Sequence, residues 1–328
     1  MSLRFLSVLA GTFSLGLACS AHAQTWKPQK PVEIVVPTAA GGANDNIARL
    51  IQAMMQNHKL VPTPVVVMNK PGGNQTLASV YVRGHANDPH YLLYSTSTIF
   101  SAEIAGLTQM HYTELTPIAL LMTEYSAISV RADSPIRNMR DLLAKLKEDP
   151  QSIAFGMVSR GGSNHVALAQ AVKSAGIDPK QLKTVVFKTN TESFLGVVGG
   201  HLQAVASSAT AAHPFVQQGT VRILAIGAPQ RQPGELANVP TIKEQGIDAR
   251  TVTNWRGVFA PRGISAAQIA YWDEVFAKIV ATDDWKKPLD QNNLARYHLR
   301  SRDFAKFLES EYGVSRAILT ELGFAKQL

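Results

Sequence analysis

The chain has 328 residues, and its 32 Lys and Arg against 24 Asp and Glu give a formal net charge of +8. This length is enough for one or two domains. The sequence holds no dense block of Lys and Arg with interleaved aromatic residues, which argues against a nucleic-acid partner. A positive surface would still help to attract a small anion.

The first 23 residues have the layout of a secretory signal peptide. Arg4 is followed by an apolar stretch of about 14 residues and by the small-x-small site Ala21-His22-Ala23. The stretch is shorter than the roughly 20 apolar residues that a membrane span needs. We therefore expect a soluble periplasmic protein that begins at Gln24 and has lost Cys19, its sole cysteine. Disulfides, cysteine nucleophiles and thiolate metal sites are then excluded, and a poor lipobox before Cys19 argues against a lipid anchor.

Predicted strands and helices alternate along nearly the whole chain, which indicates an α/β fold. Residues 30–36 alternate apolar side chains along one face of a strand, and the helix that follows repeats them at i, i+3, i+4 and i+7 from Ile47. Further strands are predicted at residues 64–68, 91–96, 118–122, 127–130, 152–155, 184–187, 202–206, 221–226 and 255–260. Further helices are predicted at residues 76–83, 139–147, 163–174, 191–198, 266–280 and 302–322.

One stretch of the sequence repeats the layout of another. Residues 35–51 read VVPTAAGGANDNIARLI, and residues 155–172 read FGMVSRGGSNHVALAQAV. In each, a strand leads to a glycine pair, a small residue, an asparagine, a polar residue and an apolar helical pattern. The match is too short to prove a duplication. It does predict two α/β domains that each present one glycine-rich loop between a strand and a helix.

A glycine pair at such a junction is suited to anion binding. The first N–H groups of a helix have no partner within it, the helix dipole adds positive charge there, and glycine allows a ligand to approach the backbone. Asn44 or Asp45 is expected to cap the first helix, and Ser163 or Asn164 the second. The residues alone leave a second interpretation equally open, in which both glycine pairs only allow sharp turns before capped helices.

The motifs of several other functional classes are missing from the sequence. It contains no G-x-G-x-x-G, no P-loop, no G-x-S-x-G elbow and no H-x-H or H-E-x-x-H. These absences argue against nucleotide binding, serine hydrolysis and a metal site, and no cofactor is expected. His165 and Ser163 are poorly placed on one helix for a nucleophile–base pair. Asp45 and Arg49 are predicted to form a surface ion pair at i and i+4, and Trp255 favours a core position over contact with a ligand.

The order of several short segments resembles a known family, the periplasmic solute receptors of tripartite tricarboxylate transporters, also called the Bug or TctC-like family. The similar segments cover nearly the whole mature chain. In chain order they are KPVEIVVPTAAGGANDNIARLI, VVVMNKPGG, LTPIALL, GGSNHVALAQ, GVVGGHLQA, VRILAIGAPQRQ, NVPTIKEQGI and WRGVFAPRGIS.

The resemblance implies a two-domain periplasmic-binding-protein clamshell of type II-like architecture, with mixed sheets flanked by helices and two crossover strands. Residues 24–122 and 253–328 would form the first domain and residues 123–252 the second. Ligands of the family are typically small carboxylates held in the cleft by backbone and hydroxyl donors. The implied partners are that ligand and the membrane subunits of the transporter, and the protein is expected to be monomeric and not an enzyme.

The positions that match the family's ligand-binding loops come from both expected domains. From the first domain they are Thr38, Ala40, Gly41, Gly42, Ser97 and Thr98, with Asp45 shaping the loop. From the second they are Ser163, Asn164, His165, Ser207 and Ser208. Several of them follow strands at the carboxyl edge of a sheet, where open α/β folds bind their ligands.

The chain departs from the family pattern at three places, so no specific tricarboxylate is carried over. Asn74-Gln75 replaces further glycines, residues 87–90 replace a Pro-Asp-Gly-Tyr turn, and residues 186–189 replace Pro-Tyr-Lys-Gly. The first and third changes introduce polar side chains, which suggests an atypical ligand. Aliphatic dicarboxylates, amino acids and aromatic acids all stay open, as do a signalling receptor and a secreted hydrolase as rival functions.

Overall fold

The computed structural model describes residues 26–232, 234–249, 253–292 and 294–326. The expected signal peptide, Cys19 and the expected mature start at Gln24 lie outside these residues. The strands are β1 (Val32–Val36), β2 (Val65–Asn69), β3 (Tyr91–Thr96), β4 (Leu115–Arg131), β5 (Ala154–Met157), β6 (Lys183–Val186), β7 (Ala204–Ser208), β8 (Val221–Ile226), β9 (Thr253–Pro261) and β10 (Ala295–Arg300). The α-helices are α1 (Ala43–Asn57), α2 (Thr76–Arg83), α3 (Thr98–Ile104), α4 (Met139–Glu148), α5 (Ser163–Ser174), α6 (Asn190–Val198), α7 (Ala209–Gln217), α8 (Ala266–Ala281), α9 (Asp283–Gln291) and α10 (Ser301–Glu321).

The strands form two mixed sheets that share β4. The first sheet has the order β2-β1-β3-β9-β4-β10, with β1 parallel to β2 and β3 and the remaining pairs antiparallel. The second has the order β6-β5-β7-β4-β8, with β5 parallel to β6 and β7 and the β4 pairs antiparallel. The parallel part has the same order in both sheets, with β1 corresponding to β5 and β3 to β7. The predicted α/β class with mixed sheets is confirmed.

Strand β4 passes from one sheet into the other without a break. Up to Tyr125 it pairs with β9, and from Ser126 onward it pairs with β7. Two separate strands were expected because the residues between them are polar, and this expectation was wrong. Thr123, Glu124 and Ser126 are all buried, and each pairs with a residue of β9 or β7, so a polar stretch does not imply a loop here. The chain returns to the first sheet at Thr253, which pairs with Tyr125. The domain limits after residues 122 and 252 stay a prediction.

Four elements were not predicted from the sequence, namely α3, α7, α9 and β10. Helices α7 and α9 each contain a proline, Pro214 and Pro288, which a sequence pattern reads as a helix boundary. Helix α3 has seven residues, too few for a clear period. Strand β10 pairs with β4 and contains no fully buried residue, so its sequence lacks an apolar face.

Each sheet is covered by apolar residues on both faces. On one face of the first sheet, Ile51 of α1, Trp272 of α8 and Trp285 of α9 form one buried cluster. On the other face, Phe304 of α10 packs in a cluster with Trp255. That second cluster also contains Val166 and Ala169 of α5, which belongs to the second sheet. Helix α10 therefore packs on the first sheet and touches a helix of the second.

Candidate functional site

The loop between β1 and α1 is closed by a single buried carboxylate. Gly41 has φ +81°, a conformation that favours glycine, and its N–H donates to Oδ2 of Asp45 at 2.8 Å. Arg49 Nε donates to the same oxygen at 2.8 Å, and Asn69 Nδ2 donates to Oδ1 at 2.9 Å. Asn69 also donates to the carbonyl of Thr38 at 3.0 Å. The carboxylate thus ties the start of the loop to its end.

The charge of Asp45 is compensated within the loop. Its side chain is almost fully buried, yet its pKa is lowered to about 2, chiefly by the hydrogen bond from Arg49 and also by those from Gly41 and Asn69. The predicted pair of Asp45 and Arg49 does form. It joins a buried carboxylate to a half-exposed guanidinium and is more than a surface pair. Both oxygens of Asp45 are engaged inside the protein.

The loop between β5 and α5 has the same backbone closure with a different acceptor. Gly161 has φ +76°, and its N–H donates to Nδ1 of His165 at 2.9 Å. In both loops the acceptor lies four residues after the donor glycine, in the first turn of the helix, and directly follows an asparagine. Because Nδ1 accepts, the neutral ring carries its proton on Nε2. Burial, and to a lesser extent the charge of Arg160, lowers the pKa of His165 to about 4, so the ring is neutral at pH 7.

The starts of α1 and α5 correct one expectation. Side-chain caps from Asn44, Asp45, Ser163 or Asn164 were predicted, but the N-cap residues are Gly42 and Gly162, and no side chain caps either helix. Asn164 instead accepts a hydrogen bond from Ser126 Oγ at 2.8 Å. The uncapped first turns leave backbone N–H groups for another acceptor. This observation favours a ligand over the simple capped turn that the sequence left equally open.

The serine and threonine candidates at the other strand ends differ in their accessibility. Ser97 and Thr98 are half-buried at the start of α3, and Ser97 Oγ donates to Asn254 at 3.2 Å. Ser207 and Ser208 are buried, and both hydroxyls are used within the fold. Ser207 donates to a carbonyl, and Ser208 accepts from Ala211 N at the start of α7. Their roles as ligand-binding residues stay predictions.

A small cavity of about 30 Å³, partly open to solvent, lies between elements of the two sheets. Ser97 and Thr253 line it from the first sheet, Gly161 and Ser163 from the second, and residues 311–319 of α10 form another wall. It thus brings together candidates from both expected domains. The glycine pair of the first loop, with Thr38 and Ala40, is not in its lining. Those residues are half-buried or exposed at the end of β1.

The sequence left open whether Gln75 and Trp255 reach the ligand, and in the structure both are buried and contact other parts of the fold. Gln75 is buried, donates to Thr96 Oγ1 at 2.6 Å and accepts from Ser95 Oγ at 2.9 Å. Its amide therefore braces the end of β3. Trp255 is fully buried among aromatic residues, 5.4 Å from the ring of Phe100.

A buried ion pair beside the cavity was not anticipated. Glu124 of β4 accepts from Arg256 of β9 at 2.5 Å and from Asn254 Nδ2 at 3.3 Å. Asn254 in turn accepts from Ser97, so the pair is linked to the cavity wall. In the sequence Glu124 falls between two predicted strands, and only its partner on a distant strand explains why it is buried.

Within the described residues, no group of three or more His, Cys, Asp or Glu side chains is placed to hold a metal ion. No helix in these same ranges has both the length and the apolar character needed to cross a membrane.

The profile of a family described as "Tripartite tricarboxylate transporter family receptor" (TctC) matches residues 47–324. The chain belongs to this receptor family. It is 28% identical over 324 residues to the UPF0065 protein in the gbd 5' region of Cupriavidus necator, covering 97% of this chain and 96% of the relative. The resemblance seen in the sequence motifs is therefore confirmed.

Two solved structures share the fold of this chain. An R. palustris protein with adipate is 22% identical, with a TM-score of 0.80 over 91% of this chain and 99% of that one. MatC from Rhodopseudomonas palustris with bound malate is 24% identical, with a TM-score of 0.75 over 89% of this chain and 99% of that one. The expected periplasmic-binding-protein fold is confirmed.

Proposed function

We propose that this TctC-family receptor binds a small carboxylate between its two glycine-pair loops in the periplasm and delivers it to the membrane subunits of a tripartite tricarboxylate transporter. It performs no chemistry on the ligand. The observation that carries the proposal is the matched pair of loops. Each loop is closed by a hydrogen bond from a glycine N–H, that of Gly41 or Gly161, and each is followed by a helix without a side-chain cap.

Backbone donors suit a carboxylate at this place. The helix N-termini supply N–H groups and partial positive charge, and the half-buried hydroxyls of Ser97 and Ser163 add donors at the cavity wall. The ligands named for the two R. palustris structures, adipate and malate, are both carboxylates. A ligand held by both loops would favour a closed arrangement of the two expected domains, which the transporter could recognise.

Proline substitutions at the first helical position test the site directly. Ala43→Pro and Ser163→Pro each remove one backbone donor, and proline is tolerated there because the preceding glycines are extended, with ψ 169° at Gly42 and 165° at Gly162. Loss of a hydrogen bond to a charged group should weaken binding by about tenfold or more. Calorimetry against the carboxylates that raise the melting temperature in a thermal-shift panel measures this loss.

Two control variants separate binding from folding. Ala266→Pro places proline at the first position of α8, after Ser265 with ψ 161°, and should leave affinity unchanged. Ser163→Ala removes the serine hydroxyl but keeps the backbone N–H, so it shows how much of the loss in Ser163→Pro comes from the hydroxyl. Unchanged affinity in both Ala43→Pro and Ser163→Pro would overturn the site assignment. A panel in which no carboxylate binds would overturn the ligand class.

A further inference from the structure

A short segment after α10, residues 322–326, is anchored to the first sheet. Leu322 is buried in the apolar cluster that α10 forms on that sheet. The N–H of Lys326 donates to the carbonyl of Ile104 in α3, the helix that follows β3, at 2.9 Å. Both ends of the segment are therefore held by elements of the first sheet.

The same segment reaches helix α5 of the second sheet. The ring of Phe324 lies 5.0 Å from the ring of His165, at an interplanar angle of 47°. Just before the segment, Oε1 of Glu321 lies 2.9 Å from Nζ of Lys173, near the other end of α5. That ion pair is half-exposed, so we expect it to contribute less than the contact between the two rings. Phe324 thus joins the first sheet to the first turn of α5.

The two glycine loops differ in what holds the acceptor that closes them. The carboxylate of Asp45 accepts hydrogen bonds from two further side chains, both from elements of its own sheet. Among the residues that the structure describes, His165 has one hydrogen bond, that from the N–H of Gly161. An imidazole with one hydrogen bond keeps its rotamer only if its neighbours pack against it. Phe324 is such a neighbour, and it comes from the opposite sheet.

We propose that Phe324 is a positioning residue for ligand binding, which packs on His165 and thereby holds the second glycine loop in the shape that presents the N–H groups of α5. This rests on the proposed function, in which those N–H groups bind a carboxylate. The first loop is held by its own sheet, whereas the second depends on a contact between the two sheets. A movement of the sheets that separates Phe324 from His165 would loosen the second loop and its hold on the ligand.

Hydrogen exchange measured by NMR tests this contact without a ligand. The amides of Gly161 and Val166 are both hydrogen-bonded within the second loop and the start of α5. In Phe324→Ala they should exchange about threefold to tenfold faster than in the wild type, the factor that the loss of one aromatic contact implies. The corresponding amides of the first loop, Gly41 and Asn46, should keep their exchange rates.

Phe307→Ala is the matched control. Phe307 is also half-buried against the cluster of α10, but its ring lies near Tyr297 of β10, 6.1 Å away, and not near α5. Its loss should leave the exchange rates of both loops as in the wild type. Melting curves of the two variants show whether they lose similar overall stability.

Calorimetry with adipate, malate and the other carboxylates of the thermal-shift panel measures the consequence for binding. Each acid that binds the wild type should bind Phe324→Ala at least threefold more weakly and Phe307→Ala equally well. The acids therefore report on the loop and not on the overall stability of the fold.

The outcomes separate this inference from the function beneath it. Unchanged exchange at Gly161 and Val166 in Phe324→Ala, or unchanged affinity despite faster exchange, would overturn the positioning role and leave the carboxylate receptor standing. Equal acceleration at Gly41 and Asn46 would show a general loss of stability and would overturn it as well. Binding of no carboxylate by the wild type would overturn the proposed function, and the exchange rates would still decide whether Phe324 holds the loop.

Discussion

The closure of the second loop by a neutral histidine makes the stability of the receptor depend on pH. Protonation of His165 would destroy the acceptor of the Gly161 N–H and place a charge in a side chain that is 3% exposed. The pKa of His165 falls from 6.5 to about 4 in the folded chain, so between these values the unfolded chain binds more protons. The contribution of His165 is therefore fully present above about pH 6.5 and is lost as the pH falls toward 4.

The size of the effect follows from the two pKa values. A fall of the His165 pKa from 6.5 to about 4 corresponds to about 3 kcal/mol of folding free energy when complete, and roughly 2 kcal/mol of it should be lost by about pH 5. Urea unfolding followed by tryptophan fluorescence measures it, at about pH 8 and about pH 5. His165→Asn is the control, since an amide oxygen can accept the same N–H and does not titrate.

The comparison with His165→Asn isolates this residue from other groups that titrate in the same range. His298 also has a lowered pKa because of burial, and Glu311 has a raised one, but both are present in wild type and variant. The wild type should lose roughly 2 kcal/mol more than His165→Asn between the two pH values. Equal losses in the two proteins would refute the reasoning.

Three further predictions concern the first loop and the ion pair beside the cavity. Gly41→Ala should destabilise the protein by about 1–2 kcal/mol because φ is +81°, whereas Gly42→Ala, with φ −79°, should be neutral or slightly stabilising in the same urea titrations. Asp45→Asn should cost about 2 kcal/mol at pH 7, and the cost should shrink to about half near pH 3, since the pKa of Asp45 is lowered and its contribution is lost as the pH falls toward about 2. A cost that does not change with pH would contradict that cause. Glu124→Gln should cost about 3–5 kcal/mol by leaving Arg256 buried without its counter-ion, and a change in melting temperature below two degrees would contradict it.

The sequence predicted the two glycine loops because local chemistry determines them. The positive φ at Gly41 and Gly161 favours glycine, and the strand before and the helix after each loop carry many buried apolar residues. The repeated spacing also gave the right correspondence, since Asp45 and His165 occupy the same position and accept the same backbone N–H. The cap residues were predicted wrongly because a side chain that can cap a helix may bond elsewhere, as Asp45 does with Gly41 N.

Features that depend on distant strands could not be predicted in this way. The polar middle of β4 looks like a loop until β9 and β7 are placed beside it. Glu124 looks like a strand-ending charge until Arg256 lies 2.5 Å away. Glu311 has an ordinary helical sequence around it, and only the packing of α10 against the cavity removes it from water.

The two glycine loops and the cavity differ in how their ionisable groups are compensated. In the first loop the charge of Asp45 is neutralised by Arg49, and in the second loop His165 is neutral, so neither loop repels an anion at the starts of α1 and α5. The one acidic side chain in the cavity lining is Glu311, whose pKa is raised by burial to about 7. Helix α10 packs on the first sheet through Phe304 and reaches α5 at its other end, where Phe324, just beyond the helix, lies 5.0 Å from the ring of His165. Helix α10 therefore connects the core of the first sheet to the loop that His165 closes in the second.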